Sequence, residues 1–223
     1  MTSSTRVLHY FPGNASMAPH IVMHEAGLAF SLHRVEREQN AHKAAAYLAL
    51  NPNGLIPVLQ DGDLVLYEAA AICLHLADRA PLAGLLPALG SDARAQAYKW
   101  LMWLTNTLQA TLLPYFYPER WVDEGDHAAA AQVKARAQAR VGALLDQLDT
   151  QLASHGQPWL LGPQHSVCDA YAFMLCRWTR GFEGPASGPA RNRPAIAAWL
   201  NRMLARPAVQ RVLHDEGLAA PWV

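Results

Sequence analysis

Strand-like and helix-like patterns alternate over residues 1–80 of the chain. An apolar run over residues 7–11 stops at a Pro-Gly pair, as a buried strand does, and apolar–polar alternation predicts a second strand over 30–35. Between these strands, apolar residues recur at helical spacing behind Ser16, which is a candidate N-cap. Residues 42–50 predict a further short helix.

A hairpin and a helix complete this first region. Residues 56–59 and 64–66 are apolar and flank an Asp-Gly turn, which predicts two antiparallel strands with a tight connection. Glu68 then opens an alanine-rich helix that runs to about residue 78. The predicted order is β-α-β-α-β-β-α, and the earlier strands can pair in parallel because helices connect them.

The pattern changes after residue 80. Residues 81–90 contain two prolines, two glycines and no charge, which is typical of a linker. From Ser91 onward the strand patterns stop, and helical patterns extend over residues 91–115, 126–154, 167–181 and 193–214. The sequence therefore predicts an α/β domain over 1–80, a linker over 81–90 and an all-helical bundle over 91–223.

Charge and cysteine content narrow the classes of function. Lysine plus arginine and aspartate plus glutamate both number 18, so the clustered basic excess expected for a nucleic-acid or membrane-surface partner is missing. No stretch approaches the roughly 20 apolar residues of a membrane span. Cys73, Cys168 and Cys176 form neither a CxxC pair nor a zinc-like spacing. We predict reduced core thiols, a soluble cytoplasmic protein and no metal.

The junction between the first strand and the first helix is a candidate chemical site. A helix N-terminus presents free N–H groups and a partial positive charge, so it stabilises an anion and acidifies a nearby thiol. A hydroxyl from Ser16 or Tyr10 could donate a hydrogen bond to that sulfur. The alternative is structural: Ser16 only caps its helix and Tyr10 only packs.

Two further segments could hold a peptide-like ligand. If the Ile56–Pro57 bond is cis, the backbone N–H and C=O of Ile56 are free to pair with another peptide. Glu68 could meet an ammonium group, while the amides of Glu68 and Ala69 meet a carboxylate. The alternative is that Glu68 merely complements the helix dipole.

In this order and spacing, these segments resemble the glutathione transferase superfamily. The resemblance rests on the strand LHYF, the stretch NPNGLIPVL and the Glu-led helix after the hairpin, and PGNAS-APHI is closest to the bacterial, beta-like members. In the second region Ser166 and Asp169 match the S-x-x-D capping box of the family, and ARPAVQRVLHDEGL resembles its C-terminal helix. The predicted box is a structural cap worth about 1 kcal/mol.

The resemblance implies a thioredoxin-like N-terminal domain that binds glutathione, an all-helical C-terminal domain and a homodimer. The cysteinyl backbone of glutathione would pair with Ile56 before a cis-Pro57, and its γ-glutamyl end would bind Glu68 and Ala69. Asn53 lies in a segment that often reaches the glycyl end.

The chain also departs from the beta-like pattern. Those members carry a cysteine where this chain has Ala15, a serine where it has Ala69, and a histidine where Leu112 or Leu113 falls. A mixed disulfide with glutathione therefore cannot form at Ala15.

Three side chains remain as candidates to stabilise the thiolate: Ser16 first, with Asn14 and Tyr10 behind it. The predicted function is transfer of the glutathione thiolate to an apolar electrophile. Glutathione-dependent isomerisation or peroxide reduction, and a non-catalytic scaffold, are the alternatives. Aromatic residues could line a pocket for the electrophile, and the alternatives are that they belong to the core or to a dimer interface. They are the aromatic residues of the stretch 113–117, together with Trp100, Trp103 and Trp121.

Overall fold

A four-stranded mixed sheet organises the first part of the computed structural model, which describes residues 6–184 and 187–223. Its strands are β1 (Arg6–Tyr10), β2 (Ser31–Arg34), β3 (Val58–Asp61) and β4 (Leu64–Tyr67). The strand order is β2-β1-β3-β4, with β1 parallel to β2, antiparallel to β3, and β3 antiparallel to β4. The predicted hairpin and the predicted parallel pair are both confirmed.

Three helices accompany this sheet: α1 (Met17–Glu25), α2 (Ala45–Leu48) and α3 (Ala69–Arg79). Helix α1 ends where Gly27 takes a φ of 63° and the N–H of Leu28 donates to the carbonyl of Met23, a Schellman-type ending. The helix predicted over 42–50 is shorter than expected, because Ala44 is extended and separates a 3-10 turn from α2.

The second part is helical and consists of α4 (Asp92–Trp103), α5 (Ala110–Phe116), α6 (His127–Ser154), α7 (Val167–Trp178), α8 (Pro194–Leu204) and α9 (Pro207–Asp215). A π-helical segment, Leu104–Gln109, joins α4 to α5, so the helix predicted there is nearly continuous. The single helix predicted over 193–214 is wrong. Arg206 is extended and Pro207 has no N–H to donate, so α8 and α9 are separate helices.

One apolar core runs through both parts of the chain. It joins residues of the central strands, such as Leu8 and Leu59, to the buried helix α7. The thioredoxin-like topology and the helical second part confirm the predicted fold class. The domain boundaries themselves, 1–80 and 91–223, stay a prediction. Within the described residues, every helix is too short or too polar to cross a bilayer.

The three cysteines are free and buried in this core, as the sequence predicted. Burial raises the pKa of all three thiols, that of Cys176 to about 12. These thiols are therefore protonated and inert at neutral pH, and none of them replaces the cysteine missing at Ala15.

Candidate functional site

The strand register gathers the predicted site segments at one end of the sheet. Val58 pairs with His9 on one side and with Tyr67 on the other. Tyr10 at the end of β1, Pro57 just before β3 and Glu68 just after β4 therefore lie side by side. The distance from β1 across β3 to β4 is two strand spacings, or about 10 Å. An extended tripeptide has about the same length and could therefore span these three residues.

Glu68 occupies an unusual backbone conformation directly before α3. Its φ of 70° and ψ of 107° lie where non-glycine residues are rare and cost about 1–3 kcal/mol. Its side chain is exposed, and Ala69 begins the helix with an N–H that has no intrahelical acceptor. A carboxylate and a helix N-terminus thus stand together, as a ligand with both an ammonium and a carboxylate group requires.

The segment before β3 is held by its own polar groups. Its Ile56–Pro57 bond is cis. The Asn51 amide and the Tyr47 hydroxyl both donate to the carbonyl of Leu55, at 2.8 and 2.9 Å. Asn53 is exposed beyond this buried base, so its side chain is accessible to a ligand.

Gly54 in the same segment has a φ of 59°, and a Cβ there would meet the carbonyl of His42 at 2.8 Å. Glycine is therefore required at this close approach. The ammonium of Lys43 lies beside it and donates to the carbonyl of Asn53 at 3.3 Å. The segment can thus offer a positive charge to an acidic end of a ligand.

Ser16 closes the turn between β1 and α1 instead of capping the helix. Its hydroxyl donates to the carbonyl of Phe11 at 3.2 Å and accepts the N–H of Phe11 at 3.3 Å. The residue is fully buried, and its side chain makes no capping hydrogen bond. Ser16 therefore occupies the predicted N-cap position, but its side chain does not cap the helix: its backbone angles are helical, and the hydroxyl bonds back to Phe11.

Asn14 and Tyr10 remain nearer to solvent in this turn. The side-chain oxygen of Asn14 accepts the N–H of Ala15 at 2.6 Å, which orients the amide. Within the described residues, the NH₂ group of that amide has no partner. Burial raises the pKa of Tyr10, and the negative charge of Glu216 raises it further, so this hydroxyl stays protonated.

The peptide groups of Gly13 are clamped by two residues that the sequence did not point to. The N–H of Gly13 donates to Oε2 of Glu216 at 2.7 Å, and its carbonyl accepts Nε1–H of Trp178 at 2.9 Å. Oε1 of Glu216 also lies 3.0 Å from Nδ1 of His20, and both side chains are fully buried. No local pattern predicts contacts between residues 165 and 203 positions apart.

The predicted aromatic pocket residues have separate locations. Phe116 is exposed and stacks edge-on against Trp178, with ring centroids 6.2 Å apart, so it lies near the Gly13 turn. Trp100 belongs to the core, whereas Trp121 is 60 % exposed. Only part of the predicted set is thus placed next to the turn.

The site brings together a turn at the start of a helix, an open strand segment and an exposed carboxylate at the start of a second helix. It lies on a thioredoxin-like sheet that is followed by a helical region, and these features could accommodate an extended ligand with charged ends.

Comparison with known proteins identifies the family. The model for the N-terminal domain of glutathione S-transferases matches residues 15–79, and that for the C-terminal domain matches residues 104–207. Glutathione S-transferase GST-4.5 of Xanthomonas campestris is 34% identical over 95% of this chain and 98% of its own. GstA of Escherichia coli O157:H7 is 33% identical over the same shares. The chain belongs to the glutathione S-transferase family, and the predicted transferase class is confirmed at that level.

Solved structures agree with this assignment. A glutathione transferase homologue from Sulfitobacter, described with bound glutathione, superposes with a TM-score of 0.85 at 27% identity, covering 97% of this chain and all of the other. A glutathione S-transferase from Xylella fastidiosa gives the same TM-score at 31% identity, over 96% of this chain and all of its own.

Proposed function

We propose that this protein binds glutathione across the end of its sheet and transfers the thiolate to an apolar electrophile. The observation that carries the proposal is the strand register. It places the turn after β1, the segment before β3 and Glu68 next to one another at one end of the sheet. Ile56 would pair with the cysteinyl backbone, Glu68 and Ala69 would hold the γ-glutamyl end, and Asn53 would lie toward the glycyl end. The reaction itself needs no metal at the sulfur.

Asn14 is the group that we assign to the sulfur. Ser16 has a single hydroxyl proton, and it is directed at the carbonyl of Phe11. The amide NH₂ of Asn14 is oriented by its own oxygen, and Tyr10 supplies a protonated hydroxyl nearby. Ser16 then acts through the turn that it closes, while Asn14 and the start of α1 favour the thiolate.

Asn14→Ala is expected to reduce kcat/KM for conjugation by about 10- to 100-fold, the value of one hydrogen bond to a charged group. The pKa of the bound thiol should rise, as followed by the ultraviolet thiolate band across pH. Calorimetry should show glutathione binding little changed, because the variant keeps Glu68 and Ile56.

Ser16→Ala is the matched control. It should lower stability and raise the thiol pKa less than Asn14→Ala does, since its hydroxyl bonds to Phe11 and supports the turn without a bond of its own to the sulfur. A raised thiol pKa in Ser16→Ala with a normal one in Asn14→Ala would reverse the two roles. No glutathione binding by the wild-type protein at millimolar concentration would favour the non-catalytic scaffold instead.

Phe116 is our candidate for the wall of the electrophile site, because it is exposed and packs on Trp178 beside Gly13. Phe116→Ala should raise KM for an aryl halide about 10-fold, from about 1–1.5 kcal/mol of lost aromatic contact, with KM for glutathione unchanged. Trp121→Ala, which removes an aromatic from the surface, should change neither value. Equal effects of the two substitutions would contradict this location.

We also propose that the chain forms a homodimer in which the first domain of one copy faces the second domain of the other. Leu64 and Val65 on the edge strand β4, and Tyr98 and Met102 on α4, expose apolar surface that such a contact would cover. Sedimentation should give twice the chain mass of 24.4 kDa. A single-chain mass at every concentration would exclude the dimer.

A cytoplasmic location is proposed from the three free, buried thiols, which suit a reducing compartment. Cell fractionation tests it directly. Recovery in a membrane or secreted fraction would contradict it.

A further inference from the structure

Three potential metal ligands meet where α1 contacts the end of α9, outside the glutathione site. They are His20 and His24, one turn apart on α1, and Asp215, the last residue of α9. One ligand atom from each lies within 4.8 Å of the other two. Nε2 of His24 is 3.8 Å from Oδ2 of Asp215.

Two ring nitrogens of these histidines have no hydrogen-bond partner within the described residues. They are Nε2 of His20 and Nε2 of His24, and both are buried. The His20 side chain is fully buried. A buried ring nitrogen without a partner is costly, and a metal ion would satisfy both nitrogens at once.

Glu216 prepares His20 for this role. Its Oε1 lies 3.0 Å from Nδ1 of His20, and its Oε2 already accepts the N–H of Gly13. A carboxylate accepts and does not donate, so Nδ1 carries a proton, and Nε2 is the ring atom that can bind a metal. Metal-bound histidines are commonly oriented by a carboxylate in this way.

We propose that His20, His24 and Asp215 form a Zn²⁺-type site that fastens α9 to α1. Two imidazoles and a carboxylate suit Zn²⁺, and three protein ligands leave the fourth tetrahedral position to water. With bonds of about 2.1 Å, tetrahedral ligands stand about 3.4 Å apart, so the side chains close in by about 1 Å. The partly exposed His24 and Asp215 provide the way in.

Two neighbouring groups already contact the carboxylate. Nε of Arg211 is 2.9 Å from Oδ2 of Asp215, and Nδ1 of His214 is 3.1 Å from Oδ1. Both side chains are well exposed, so Arg211 can swing off into solvent when the ion arrives. The proposal departs from the metal-free protein expected from the sequence, because the third ligand, Asp215, lies 191 positions after His24 and only the fold brings it beside the two histidines.

The test is titration of the full-length, chelator-treated protein with Zn²⁺ by calorimetry and with Co²⁺ by visible absorption. Wild type should bind one equivalent, and Co²⁺ should show the d–d bands of a tetrahedral site with nitrogen and oxygen ligands. His24→Gln and Asp215→Asn should each weaken binding at least 10-fold. His127→Gln, a change at an exposed histidine on α6, should leave both affinity and spectrum unchanged.

Glu216→Gln gives a sharper readout. The amide oxygen must face the N–H of Gly13, so the NH₂ faces Nδ1 of His20 and moves the ring proton to Nε2. Zinc affinity should then fall about 10- to 100-fold in a folded protein. The proposal would be overturned if His24→Gln and Asp215→Asn kept the Zn²⁺ affinity and the Co²⁺ spectrum of the wild type. It would also be overturned if the wild-type protein did not bind Zn²⁺ more tightly than these two variants.

Discussion

Asp169→Ala is expected to lower the free energy of unfolding by about 3–5 kcal/mol, because it leaves several buried donors unpaired. Oδ1 of Asp169 accepts the N–H of Leu160 at 2.9 Å and Nε1–H of Trp199 at 3.0 Å. Oδ2 accepts the N–H and the hydroxyl of Ser166, both at 2.9 Å. The predicted capping box is confirmed. The fully buried carboxylate does more than cap α7, because it also binds the segments that contain Leu160 and Trp199.

Asp126→Ala is the matched control, since Asp126 also caps a helix. Within the part of the chain that the structure describes, its exposed carboxylate accepts only the N–H of Ala129, so we expect a loss of about 1 kcal/mol. Urea denaturation of both variants measures the difference. Equal losses would mean that burial and the bonds to Leu160 and Trp199 add nothing to the cap.

Glu216→Ala should lower both stability and activity. The N–H of Gly13 and the ring of His20 lose their buried acceptor, which costs about 2–4 kcal/mol with the cavity included. The turn that we propose to lie beside the sulfur then loses one of its two clamps, and a displacement of about 1 Å can reduce kcat/KM about 100-fold. Denaturation and steady-state kinetics check the two effects separately.

Glu124→Ala serves as the control for Glu216→Ala, because Glu124 is an exposed loop residue. It should change neither quantity. If Glu216→Ala lost stability but kept full kcat/KM at a temperature where it is folded, the clamp on Gly13 would be structural only.

Local patterns predicted most of the secondary structure because each depends on neighbouring residues. The hairpin at the Asp-Gly turn, the helix behind Glu68 and the box at Ser166 are examples. The failures were also local. A single helix was predicted over 193–214 although Pro207 cannot continue one. Ser16 does lie at the N-cap position, but its hydroxyl bonds back to Phe11 and does not cap the helix.

The proposed glutathione site could be outlined from the sequence because its segments resemble those of a known family. Ile56, Pro57, Glu68 and Ala69 were predicted from that resemblance, and their contact with glutathione stays a prediction. The positive φ of Glu68, by contrast, was not predictable from the sequence, because glutamate seldom adopts a positive φ.

By itself, the sequence determined most of the element order and the division into an α/β and a helical region, and its resemblance to a family indicated the segments that we propose for the ligand. Periodicity and turn chemistry act over a few residues, so they are visible in a single chain. Only the tertiary structure decided that Glu216 and Trp178 clamp Gly13, and that His20, His24 and Asp215 converge. Those contacts join residues up to 203 positions apart, and such distances close only when the two regions pack on one core.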